Sequence, residues 1–117
     1  AAYPILVDSG EFSSLMACFT ADCEFVVRGT TVSGHDQLVD FYVGGVERGN
    51  KGIHLPSAPL IEVDGTTATS VQNFLYVADG SSSITRGRYN DVLVLEGDNW
   101  RIKRREVQIN PLAPETP

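Results

Sequence analysis

Five consecutive residues, Gly87-Arg88-Tyr89-Asn90-Asp91, put four polar or ionisable side chains into a stretch that is otherwise apolar and β-rich. A buried polar group without a partner costs about 1–3 kcal/mol, so such a stretch must achieve something in exchange. A polar site at the mouth of a concave sheet is the expected gain. Side chains alternate along a strand, which places Tyr89 and Asp91 on one face and Arg88 and Asn90 on the other. A bulge at Gly87 would instead swing Arg88 inward. His54, near the start of a long β-rich run, is the second group able to do chemistry, because an imidazole takes up and returns a proton near neutral pH. Plainer readings stand beside these: a hydrogen-bonded strand histidine for His54, and for Arg88 and Asp91 an ion-pair network with Arg104 or Arg105 that fastens neighbouring strands.

Other chemistries lack their motifs. There is no Gly-x-Ser-x-Gly, no phosphate loop and no metal-ligand helix, so neither a cofactor nor a metal is expected. Cys18 and Cys23 have no ligand or disulfide-framework spacing, which points to a reduced, cytoplasmic setting. Cys18 has helical spacing with Leu15 and is expected to be buried. A net charge of −6 repels polyanions. The basic cluster Arg101, Lys103, Arg104 and Arg105 falls on a predicted strand without an aromatic platform, so no nucleic-acid partner is expected. No apolar run approaches the roughly 20 residues of a membrane span, so no membrane partner is expected.

The elements that must position these groups can be read from periodicity. The 117 residues form one domain, expected over 1–110, followed by a Pro-rich tail at 111–117. The opening Ala1-Ala2-Tyr3 reads as though an upstream segment were missing. Phe12, Leu15, Met16 and Phe19 recur at helical spacing behind an Asp8 to Glu11 cap, and Tyr3 to Val7 reads as the end of an earlier helix. Ser33-Gly34-His35-Asp36 starts a second helix, which carries Leu38, Val39, Phe41 and Tyr42 and is weakened at Gly44-Gly45. His35 in its first turn is expected to be exposed. Between the helices, Glu24 to Arg28 reads as a strand.

From residue 51 the period changes to two. Turn signals at Asp64-Gly65, Asp79-Gly80 and Glu96-Gly97-Asp98 divide a four-strand antiparallel meander: Ile53–Val63, Ala68–Ala78, Ile84–Leu95 and Trp100–Ile109. Strands this long curl, and the helices would fill the concave side. The expected architecture is an α+β cone, open at one end, with Phe74 and Tyr76 among its lining and Tyr42 and Trp100 in the core or pocket wall.

The ordered set Tyr3, Asp8, Phe12; Cys18-Phe19, Asp22, Glu24-Phe25; Gly34, Asp36; His54; Asp64-Gly65, Ala68; Gly87-Arg88-Tyr89, Asp91; and Trp100, Ile102, Arg105 resembles SnoaL-like proteins of the nuclear transport factor 2-like superfamily. The resemblance implies a cystatin-like cone, related to scytalone dehydratase, ketosteroid isomerase and limonene epoxide hydrolase. It implies cofactor-free general acid–base chemistry on a hydrophobic, oxygenated small molecule: dehydration, isomerisation, cyclisation or epoxide hydrolysis. It marks His54 as base or acid, Asp8 as its orienter, Asp91 as a second carboxylate, and Tyr3 and Tyr89 as ligands of substrate oxygen. Arg88, Tyr76 and Phe74 complete the expected substrate-binding set. An epoxide hydrolase-like trio of Asp8, Arg88 and Asp91 is a variant of this assignment. Capping of the first helix is the competing role of Asp8, and a non-catalytic binding or assembly module of the same fold is the competing function. A homodimer is expected, since it would cover the sheet's second face.

Overall fold

Alternating apolar and polar residues over the second half of the chain produce long paired strands. In a computed structural model, which describes residues 11–49, 51–80 and 83–110, these strands are β5 (Thr67–Ala78), β6 (Ile84–Glu96) and β7 (Asn99–Ile109). They form an antiparallel meander at the centre of a seven-stranded sheet. On one side β7 pairs in parallel with β1 (Phe19–Val27), which forms a hairpin with β2 (Thr30–Ser33). On the other side β3 (Gly52–Pro56) and β4 (Leu60–Asp64) both pair with β5. Helix α1 (Phe12–Met16) precedes β1, and α2 (Gly34–Glu47) follows β2 and packs against β1. The α+β cone is thus present. The expected helix at Tyr3 to Val7, the Asp8 end of the cap and the tail at 111–117 lie outside the described residues.

Several local expectations need correction. The run Ile53–Val63 is two strands, because Pro56 and Pro59 lack the N–H that a continuous ladder requires. In the gap between them the Ser57 N–H still donates to the Asn73 carbonyl at 2.9 Å. Phe19 belongs to β1 rather than to the first helix, and its place in the helical spacing is a coincidence of i+7. Its side chain is 1% exposed and meets Phe25 with ring centres 6.4 Å apart. Helix α2 continues through Gly44-Gly45 to Glu47. His35 is half-buried, with its Nε2 3.1 Å from the Phe19 carbonyl, so this first-turn residue ties α2 to β1. Ser33 makes no side-chain cap; its N–H donates to Gln37 Oε1 at 3.0 Å instead.

The core lies between α2 and the inner sheet face and includes Leu15, Phe19, Cys23, Phe25, Leu38 and Tyr42. Burial pushes the Cys23 thiol up, against a smaller lowering by the Gly34 backbone N–H, which keeps it in the thiol form at neutral pH. Cys18 is half-buried, and both cysteines are free.

Two residues set the geometry of the inner face. The β6–β7 register shifts between Val92 and Leu93, which face Arg104 and Ile102, so Lys103 is the extra residue of a bulge. Ile102 and Arg105, three apart, consequently both point inward and are 7% and 4% exposed. No bulge forms at Gly87, which pairs regularly with Ile109 and Phe74. Glycine is needed there for a different reason: a Cβ would lie 2.0 Å from the Phe74 ring.

Gly87→Ala is therefore expected to destabilise the fold by about 1–3 kcal/mol in urea denaturation, as overpacking does. Combining it with Phe74→Leu should recover much of the loss. Purely additive effects would refute the contact as its cause.

Candidate functional site

The pairing register arranges the inner face in rows that run inward from one end of the sheet. His54, Tyr76 and Thr85 form the first row, and Phe74, Gly87 and Ile109 the second. Gln72, Tyr89, Val107 and Val27 form the third, and Ser70, Asp91, Arg105 and Phe25 the fourth. The outer three rows and Phe25 of the fourth, together with Phe12, Phe41 and Tyr42 from the helices, enclose a cavity of about 620 Å³ that opens at the sheet end. Gln72 is the exception in the third row; its amide donates to the Ser57 carbonyl at 2.7 Å, and it does not line the cavity.

His54 is half-buried in the cavity wall, its ring centre 4.7 Å from that of Tyr76 and 5.6 Å from that of Phe74. The Tyr76 ring leans over Gly52, where a Cβ would come within 2.9 Å of its hydroxyl oxygen. Tyr89 is 2% exposed and stacks on Phe74 at 4.3 Å. Of the expected site, the structure thus brings His54, Tyr76, Phe74 and Tyr89 together in one wall. Tyr3 and Asp8 lie outside the described residues.

Two expected members sit elsewhere. Arg88 is on the outer face, where its Nε donates to Oδ1 of its cross-strand neighbour Asn73 at 2.8 Å, and it does not line the cavity. Strand alternation explains this, since β6 runs without a bulge through Gly87 and keeps Arg88 opposite Tyr89. Asp91 does point inward but lies one row beneath the cavity lining. Both its oxygens accept from Arg105: Nε to Oδ1 at 2.8 Å and Nη2 to Oδ2 at 2.7 Å. The two side chains are 6% and 4% exposed. Asp91 therefore serves as the buried strand-fastening partner of Arg105, and Arg88 and Asp91 lie on opposite faces of β6 rather than in one site. The Arg105 guanidinium also lies 4.0 Å from the centre of the Tyr89 ring, so the pair supports the cavity floor from below.

Trp100, expected in the core or wall, is 39% exposed and absent from the cavity lining. Missing from the sequence reading were the groups at the cavity mouth: Arg28, Arg48, Lys51 and Asp79. They sit in turns or at a helix end, where periodicity carries no signal about direction.

The profile of the SnoaL-like domain matches residues 1–106, nearly the whole chain. The chain belongs to the SnoaL-like family. Its architecture is the cystatin-like fold of nuclear transport factor 2-like proteins. Among solved structures, a function-unknown protein from Mycobacterium tuberculosis is 25% identical with a TM-score of 0.84. That match covers 92% of this chain and 65% of the other, so this SnoaL-like chain spans just under two thirds of that relative. A candidate scytalone dehydratase from Novosphingobium aromaticivorans is 23% identical over 92% of this chain and 76% of its own, with a TM-score of 0.77. A hexachlorocyclohexane dehydrochlorinase from Novosphingobium barchaimii is 19% identical over 92% and 78%, with a TM-score of 0.80. No match was found among curated proteins. No helix among the described residues is long and apolar enough to cross a membrane.

Asp91→Ala should cost about 3–5 kcal/mol in urea denaturation, because it leaves a buried guanidinium without its carboxylate. Replacing both Asp91 and Arg105 by Met should cost clearly less than the single change. A double variant as unstable as Asp91→Ala would show that the pair is not what fastens the strands.

Proposed function

We propose that the cavity binds a hydrophobic, oxygenated small molecule and that His54 is the base or acid of a cofactor-free proton transfer on it. The observation that carries this reading is an imidazole set in the wall of a cavity of about 620 Å³ beside Phe74, Tyr76 and Tyr89. That volume suits a drug-sized ligand, and apolar walls with one convergent titratable group are the usual make-up of a small-molecule site.

Among the reactions open to such a site, we favour β-elimination, supported by relatives named for loss of water and of hydrogen chloride. The His54 imidazole takes a proton from carbon, and the electron pair left behind forms the new double bond. The bond to the neighbouring leaving group breaks, and the leaving oxygen takes a proton from the imidazolium. Tyr76 and Tyr89 are assigned to hold substrate oxygens. Asp8 as orienter of the imidazole and Tyr3 as a further oxygen ligand rest on the sequence resemblance alone.

The probe 5-nitrobenzisoxazole tests this reading, since it opens when a base removes its one acidic C–H and needs no other partner. The protein should accelerate ring opening, and His54→Gln should slow it by about 10²–10⁴-fold. A rate that survives the substitution within a few-fold removes His54 from the mechanism.

One observation favours the second reading, a non-catalytic binding module: Asp91, the expected second carboxylate, is bound on both oxygens by Arg105 beneath the cavity floor. That module would bind ligand and leave the probe unchanged.

For the homodimer, the supporting feature is an apolar strip on the outer sheet face, where Ile53 and Leu55 of β3 lie beside Val77 and Leu75 of β5. Ile53, Leu55 and Leu75 are 54%, 53% and 39% exposed. A second copy of the chain would cover it. Sedimentation should give a dimer that Leu55→Glu with Leu75→Glu converts to monomer; a monomeric unaltered protein would end this assignment.

A further inference from the structure

The cavity mouth is charged out of keeping with the chain. On a protein of net charge −6, Arg28, Arg48 and Lys51 all line the mouth, with Asp79 as the one described carboxylate in the lining. Among the described residues none of the three cations forms an ion pair, although Arg101 and Arg105 both do. Three cations against one carboxylate leave the described lining with a positive excess that attracts an anion.

Two backbone features bear on how these side chains are held. Arg28 and Gly29 form the two-residue turn between β1 and β2, with φ of 51° and 77°. This double positive φ suits Asn-Gly and is uncommon for a residue as bulky as arginine. In α2, Gly44 and Gly45 occupy mid-helix positions that alanine would fill better. A Cβ at Gly44 would come within 3.1 Å of Arg48 Nη1, so the Arg48 guanidinium folds back over the bare helix surface. Gly45 itself lines the cavity. The left-handed backbone at Arg28 is a local loss whose result is positive charge at the mouth of an apolar chamber.

We infer that the substrate is an anionic amphiphile, an apolar ring system bearing a carboxylate, whose carboxylate is held by Arg28, Arg48 and Lys51 while its apolar body extends inward to His54. This rests on the small-molecule reading of the cavity and adds the substrate's charge and orientation. Asp79 at the same mouth would repel a second negative charge and so favours a monoanion.

The test compares 1-naphthylacetate with its neutral isostere 1-naphthylacetamide, titrated against the protein at low ionic strength while the His54 ring signals are followed by NMR. The anion should bind at least five-fold more tightly than the amide, and added salt should narrow the gap. Replacing Arg28, Arg48 and Lys51 together by Gln should bring the two affinities within two-fold of each other. Arg28→Asn alone should raise the melting temperature, since Asn accepts the left-handed turn, while weakening the anion. Equal binding of both probes to the unaltered protein, or a preference that persists in the triple variant, overturns the anion assignment and leaves the cavity reading standing. If neither probe moves the His54 signals, the small-molecule cavity and this inference fall together.

Discussion

The bidentate pair between Asp91 and Arg105 is the contact on which the rest of the inner face depends. It joins β6 and β7 directly across the ladder, and both strands are central in the sheet. Because both groups are almost fully buried, neither can be lost without stranding the other, and the pair sets which face of each strand is inside. Tyr89 rests against its guanidinium, Phe74 stacks on Tyr89, and His54 packs beside Phe74. A polar contact at the closed end of the cone is thereby transmitted, ring by ring, to the imidazole nearest the open end.

Much of this was legible in the sequence. Period-two alternation located the meander, and strand parity put Tyr89 and Asp91 on one face and Arg88 on the other, although the expected substrate-binding set included Arg88. The rest depends on features smaller than a period. The single extra residue at Lys103 brings Ile102 and Arg105 to the same face, which alternation alone would forbid. A polar interruption also looks the same in one dimension whether it forms a site or fastens two strands. Asp91 was distinguished only when Arg105 was found opposite it.

The charged groups and the strand-fastening pair occupy different ends of the same chamber. Deep residues are aromatic or paired. The mouth is built from turns and a helix end, where side chains can be exchanged without disturbing the core. One fold can thus keep its interior while the groups at its mouth vary.

The break at Pro56 to Pro59 has a consequence beyond the pairing of β3 and β4. A sheet whose central strands run to 12, 13 and 11 residues would make a hazardous template if its borders were equally long. Here one border is β2, of four residues, and the other is two five-residue pieces separated at prolines. Neither offers an incoming chain a long uninterrupted row of free amide groups. The same imino acids that spoil the periodicity of the first long run protect the folded protein against edge-to-edge aggregation.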